Sequence, residues 1–220
     1  MKSPNSKQIW ILGAGTFGRK AVNALLNGKD EWAVTVIDHS PERLKLAGVN
    51  CICSDAVDWL LAHFSVSTPA AEMIVPALPI HVAAEWLRRT LQDKGISVRP
   101  ADLPESYIKA LPNLITPCSN RAYTSFAEER CPESCDEPEG YCYLTGENRE
   151  MPLFELMKNA SPPGIISVVI RSYQLAAGVG GIHTAHLADL LETSINIGKG
   201  TIIVGTSCRC HGVVDCLQIG

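Results

Sequence analysis

Along the first hundred residues, short apolar runs alternate with stretches of helical periodicity. Residues 8–12 form a tight apolar run stopping at Gly13, the pattern of a strand buried on both faces. Residues 16–26 place Phe17, Ala21 and Leu25, with Val22 and Leu26, at helical spacing, and Asn27-Gly28 ends that helix. A Val/Ile-rich strand follows at 33–38. Ser40 as N-cap and Pro41 at the first position predict another helix. Strands at 49–53 and 72–76 then alternate with helices from Asp55 to about 64 and over 80–91. Strands alternating with helices predict a mostly parallel sheet covered on both faces.

The pattern changes after residue 100. Residues 101–163 are rich in proline and acids, hold four cysteines and read as a loop-like insertion. Residues 164–220 return to an apolar pattern, with strands at 165–172 and 200–206 and a helix at 181–193. Two strands and one helix make a poor core alone, so these elements are expected to extend the first sheet. The fold class is thus α/β, a doubly wound, mostly parallel Rossmann-like sheet with a Cys-rich loop insertion. Its divisions are 1–100, a dinucleotide-binding half; 101–163, a Cys/Pro-rich insertion with a metal site; and 164–220, the remaining strands and helix.

Gly13-Ala14-Gly15-Thr16-Phe17-Gly18 follows the first strand and opens the first helix. In such a turn Gly13 permits the tight bend, Gly15 lets a pyrophosphate approach the backbone, and Gly18 lets helix and strand pack closely. The free N–H groups at the start of the helix then face the phosphates, flanked by Thr16 and Phe17. Asp38 ends the second strand 20 residues after Gly18. That position suits a carboxylate binding the ribose hydroxyls of NAD, and it repels the extra phosphate of NADP. The plainer reading is a glycine turn that serves packing alone; the strand, helix and acidic partner in the right places favour the nucleotide reading.

Val36-Ile37-Asp38-His39-Ser40-Pro41-Glu42-Arg43-Leu44, followed by Gly48-Val49 and Ser54-Asp55-Ala56, resembles the NAD-binding domain of potassium-conductance regulators of TrkA-N type over residues 8–92. The resemblance implies a Rossmann fold, bound NAD and a place for Asp55 near the adenine side. Ser54 stands where the family pattern has Gly. Ala77-Leu78-Pro79-Ile80-His81 is more similar to the nicotinamide-side loop of small dehydrogenases.

Nine cysteines in 220 residues change the picture again. The chain carries a net charge of −4, no apolar run long enough to span a membrane and no secretion signal before the short run at 9–12. A cytoplasmic protein is expected, in which clustered cysteines ligate or react rather than form disulfides. The mild acidity argues against nucleic acid as a partner. Cys131, Cys135 and Cys142 follow a C-x3-C-x6-C spacing, with Cys118 upstream. Soft thiolates so close together select an iron–sulfur cluster or zinc, and a 4Fe–4S cluster is the leading expectation. Cys208, Cys210 and His211 follow the last predicted strand as reserve ligands. Acids including Glu128, Glu129, Glu133, Asp136, Glu137 and Glu139 surround the middle group and read as a solvated face. Cys51 and Cys53 fit a buried strand. Gly178-Val179-Gly180-Gly181 reads as a strand-to-helix turn.

Two functions follow. One is an NAD-binding redox protein with a cysteine-held centre, acting on a small-molecule substrate or a redox partner protein. The other is a non-catalytic NAD-sensing regulator, working through a homodimer or partner interface, with zinc as a structural clip.

Overall fold

The computed structural model describes residues 7–129, 131–132 and 134–220; Glu133 and the N-terminal residues 1–6 lie outside them. The first half follows the expected rhythm: β1 (Lys7–Leu12), α1 (Thr16–Leu26), β2 (Trp32–Asp38), β3 (Asn50–Cys53), α2 (Ala56–His63), β4 (Met73–Pro76) and α3 (Val82–Asp93). Strands β3, β2, β1 and β4 pair in that order and in parallel. Ile9 and Ile11 of β1 face α1 with Ala21, Val22 and Leu25. Trp10 and Leu12 face the other way, into a core with Trp59, Leu60, Trp86 and Leu87 from α2 and α3. This alternation on a strand buried on both sides is what a covered parallel sheet requires.

Beyond β4 the structure departs from the expected single sheet. After β5 (Val98–Pro100), α4 (Glu105–Lys109), β6 (Ile115–Cys118), β7 (Arg121–Ser125), α5 (Leu153–Asn159) and β8 (Ile166–Arg171), the chain forms a hairpin of β9 (Tyr173–Ala176) and β10 (Val179–His183). Strand β10 pairs antiparallel with β4, so the first sheet reads β3-β2-β1-β4-β10-β9 and is mixed rather than mostly parallel. That hairpin occupies the edge that a parallel extension needs. The remaining strands, β11 (Gly200–Ser207) and β12 (His211–Ile219), therefore join β8, β7 and β6 in a second mixed sheet, ordered β6-β7-β12-β11-β8, with β5 on the far end of β12.

Further corrections follow. Residues 164–220 divide between two sheets instead of completing one. Residues 101–163 are not simply an insertion, because β6, β7, α4 and α5 are parts of the second sheet and its cover. The glycines at 178–181 lie in the β9–β10 hairpin and along β10, not in a turn that opens a helix; α6 (Thr184–Ile197) starts three residues later. The helix expected after Ser40 is a series of turns, since residues 41–44 offer Leu44 as their one apolar anchor. Cys51 is half-buried and Cys53 exposed on the edge strand β3, not enclosed as expected.

Helices α3 and α6 pack on each other between the sheets. Helix α3 touches β11, and α6 touches β8 and β10. Ile202 and Val204 of β11 enter this central core, while Ile203 points to the opposite face, where α5 lies with Met157. The two sheets thus share a helical layer. The carboxyl end of β4 is brought against the turn between β11 and β12.

Candidate functional site

The glycine loop is built as its sequence implies. Gly13 adopts φ +106°, and a Cβ there would stand 2.6 Å from the Ala77 carbonyl oxygen. A Cβ on Gly18 would stand 1.9 Å from the Gly13 oxygen, so only glycine allows α1 this close to β1. Gly15 differs: a Cβ would meet nothing within 4 Å. Its surroundings are open at the N-terminus of α1, with Thr16 and Phe17 exposed beside it.

Asp38 is buried and holds this loop. Its Oδ2 accepts from the Ala14 N–H at 2.7 Å and its Oδ1 from the Ser40 N–H at 2.8 Å. Burial opposes ionisation, but these two hydrogen bonds and the charges of His39 and Arg43 hold its carboxyl below the usual range. Asp55 caps α2, its Oδ1 accepting from the Val57 and Asp58 N–H groups at 2.9 Å. Both acids picked from sequence thus have architectural partners already.

A cavity of about 780 Å³ begins beside Phe17 and Lys20 of α1 and runs under the loop after β4, Leu78 to His81. The β9–β10 hairpin and the β11–β12 turn form two of its walls. The segment from Cys131 to Arg149, which has little regular structure, forms the remaining one. Five cysteines line this one space: Cys131, Cys135, Cys142, Cys208 and Cys210, together with His211. Cys118 does not line it; it sits exposed on β6. Cys216 is buried in the core behind β12.

The sulfurs are mutually aware. Cys131 Sγ lies 3.6 Å from His211 Nε2, and Cys208 Sγ lies 3.8 Å from His211 Nδ1. Arg149 donates to Cys210 Sγ at 3.0 Å while its guanidinium lies over the Phe126 ring. The Cys210 and His211 N–H groups point at Cys208 Sγ at 3.4 and 3.3 Å. Burial, with the Glu137 carboxylate close by, nevertheless pushes the Cys208 thiol up to about 12. Burial and the charges of Cys135, Cys210 and Cys142 also push Cys131 up, and burial raises Cys210 despite Arg149. Cys142 moves the other way, because the Thr145 hydroxyl and N–H hydrogen-bond its sulfur. Glu137 adopts φ +53° and accepts from the Arg209 N–H, so at least one of the expected solvated acids belongs to the cavity wall. Among the described residues, no three His, Cys, Asp or Glu groups converge on a point where one metal ion would sit.

Sequence reasoning missed the acid beneath this cavity. His81 Nδ1 is 2.7 Å from Asp215 Oδ2, and His81 Nε2 is 2.9 Å from Thr206 Oγ1. Asp215 also accepts from Arg121 Nε and Nη2 at 2.8–3.0 Å and from Asn120. Burial resists its charge, but the hydrogen bonds from His81 and Arg121 hold its carboxyl below the usual range. The signal available in sequence was weak: a lone Asp in the apolar run 213–219. Removing it leaves the half-buried Arg121 without its counter-charge and the buried His81 without its acceptor. Asp215→Ala is therefore expected to lose about 3–5 kcal/mol of stability. Urea unfolding at neutral pH measures this. A carboxyl with a depressed native pKa stabilises above its ordinary value and loses that contribution as pH falls through the native one. The gap between wild type and variant should accordingly narrow toward strongly acid pH.

With this geometry in hand, comparison with known proteins places the chain. A family model described as "Uncharacterized protein, C-terminal domain" matches residues 83–220, more than half of it. The chain belongs to the AF_1314_C family. The matched part begins at α3 and holds the second sheet, the cysteines of the cavity and Asp215. A TrkA-N domain model matches residues 9–68, the β1–glycine loop–α1–β2–β3–α2 unit, and supports nucleotide binding there. An uncharacterized protein of Archaeoglobus fulgidus is 28% identical over 94% of this chain and 98% of its own length, so both halves recur together. No solved structure gives a significant match. Among the described residues, no helix is long and apolar enough to cross a membrane.

Proposed function

We propose that the protein binds NAD(H) on the glycine loop and is a redox protein with a cysteine-held centre in the cavity; because a hydride carries two electrons and a cluster passes one, a bound substrate or flavin would stand between them. One observation carries this reading: five cysteines from two distant segments meet in one cavity beside the carboxyl end of β4. In a doubly wound sheet, that is the edge where the nicotinamide half of a dinucleotide lies when its pyrophosphate rests on the first helix. The donor set suits a soft centre, with five thiols, four of them half-buried, and N–H groups aimed at two of the sulfurs. Zinc gathers four donors within about 2.3 Å of one point. Among the described residues no three donors are gathered for a metal ion, so the preference for a cluster rests on the thiol-rich donor set alone. Cys131, Cys135, Cys142 and Cys210 would hold such a cluster, with Cys208 and His211 next to it; Cys118 is set aside. When bound, a cluster supplies one-electron transfer. Arg149 would place positive charge and a hydrogen bond at the Cys210 sulfur.

The TrkA-N match, which supports nucleotide binding, is also compatible with a second reading, a non-catalytic NAD-sensing regulator in which zinc would be a structural clip. Anaerobic purification with metal and sulfide analysis, an absorption spectrum, and an assay of NADH oxidation by ferricyanide separates the two. A brown iron- and sulfide-containing protein that oxidises NADH supports the redox reading. A colourless zinc protein without turnover supports the regulator.

The same material tests cofactor choice. NADH is expected to bind at least about tenfold more tightly than NADPH, near 1.4 kcal/mol, because in this reading the Asp38 carboxylate would lie near the ribose and repel a further phosphate. Arg43 Nη1 lies 3.8 Å from Asp38 Oδ2 and works against this preference. Equal or reversed affinities by fluorescence titration would overturn the assignment of Asp38 to the ribose.

A further inference from the structure

The His81 network contains more than a buried ion pair needs. Arg121 alone reaches both oxygens of Asp215 and neutralises its charge. A histidine there for packing alone needs one acceptor for one ring N–H. His81 instead spans from Asp215 on β12 to Thr206 on β11, and both His81 and Thr206 line the cavity. The ring and the carboxylate are nearly inaccessible to solvent, at 2% and 3%. Thr206, half-buried, is the most accessible of the three and lines the space where a ligand would sit. The order is hydroxyl, imidazole, carboxylate, with the carboxylate anchored from behind by arginine.

We propose that Thr206, His81 and Asp215 form a proton relay opening into the cavity, serving a ligand that gains or loses a proton on oxygen, a small carbonyl or hydroxy compound. The proposal rests on reading the cavity as the substrate site. With Asp215 ionised, His81 carries its proton on Nδ1 and offers Nε2 to the Thr206 hydroxyl. When a ligand hydroxyl ionises, its proton goes to Thr206 Oγ1 as the threonine's own proton passes to His81 Nε2. The product is an imidazolium held between Asp215 and Thr206; the reverse sequence protonates an oxyanion. Asp215 stays ionised throughout because Arg121 holds it so, which leaves His81 as the group that stores the proton. The walls nearby are apolar at Leu78, Ile80 and Val213. The charged or titratable groups facing the same space are Lys20 on α1, Glu137 and Arg149, Tyr123, Tyr141 and Tyr143, His211, and the five cysteines named above.

The test is a pH titration of the histidine ring signals by NMR in ¹⁵N-labelled protein, with His81 assigned by His81→Gln. Thr206→Val keeps the shape of the side chain and removes the hydroxyl; Thr206→Ser keeps the hydroxyl. A relay histidine titrates reversibly, its midpoint moves by about half a pH unit or more in Thr206→Val, and Thr206→Ser restores it. A ring that holds one protonation state from mildly acid to mildly alkaline pH overturns the proposal, as does a midpoint indifferent to Thr206→Val. NADH affinity measured on the same samples keeps the two readings apart. Tight NADH binding with an inert His81 removes the relay alone. A titrating, Thr206-coupled His81 without NADH binding keeps the relay and removes the NAD assignment.

Discussion

Gly15→Val is expected to weaken NADH binding about 100-fold or more, roughly 2.7 kcal/mol, while the thermal transition stays where it is. The two halves of that expectation come from one geometry. Gly15 has φ −70° and ψ −163°, an extended conformation that valine adopts readily. An added Cβ meets no protein atom within 4 Å, so the fold has no reason to object. The open space is where a pyrophosphate must approach the first N–H groups of α1, and a branched side chain fills it. Gly18→Ala is the internal contrast. Its Cβ would lie 1.9 Å from the Gly13 oxygen, so that variant unfolds or shifts α1 whatever it binds. NADH fluorescence titration and a melt of the Gly15 variant settle the matter. Unchanged affinity would remove the dinucleotide from this loop; a lowered melting temperature would mean that Gly15 serves packing after all.

The double variant Cys131→Ser, Cys135→Ser is expected to lose the metal centre completely, because hydroxyls are poor ligands for a soft site. Both thiols sit in the 131–149 segment, outside the two sheets, so the cores should remain intact. Iron, sulfide and zinc analysis with the absorption spectrum, all under anaerobic conditions, reads the loss, and circular dichroism reads the fold. Cys118→Ser supplies the control: exposed on β6 and away from the cavity, it should leave the centre untouched. Loss of the centre in Cys118→Ser and its retention in the double variant would reverse the ligand assignment. Absence of any metal from the anaerobic wild type would end the cluster reading. It would leave the five cysteines as the wall of a substrate pocket.

What the sequence determined by itself is the local part. The periodicity of residues 8–93 was enough for β1, α1, β2, β3, α2, β4 and α3, because each buries its apolar face against its neighbours in the chain. The glycine loop was equally legible, since Gly13 and Gly18 are demanded by contacts within a few residues of β1 and α1 and by the strand beside them. The clustering of Cys131, Cys135 and Cys142 could be read from spacing alone.

Tertiary structure decided everything that depends on partners distant in sequence. Strands such as β8 and β11 carry apolar residues on both faces and suit the interior of either sheet. Their place was fixed only when the β9–β10 hairpin took the free edge of β4. Once β11 and β12 were excluded from the first sheet, the turn between them still returned to the cavity, by way of the shared α3–α6 layer. That is why Cys210 lines the cavity and Cys118 does not, although Cys118 is much nearer to Cys131 in the chain. Asp215 shows the same limit most sharply. Alone in an apolar run it has no visible role, and its meaning comes from His81, 134 residues away, and Arg121, 94 residues away. A buried charge can persist only beside its counter-charge, and only the packed chain brings the two together.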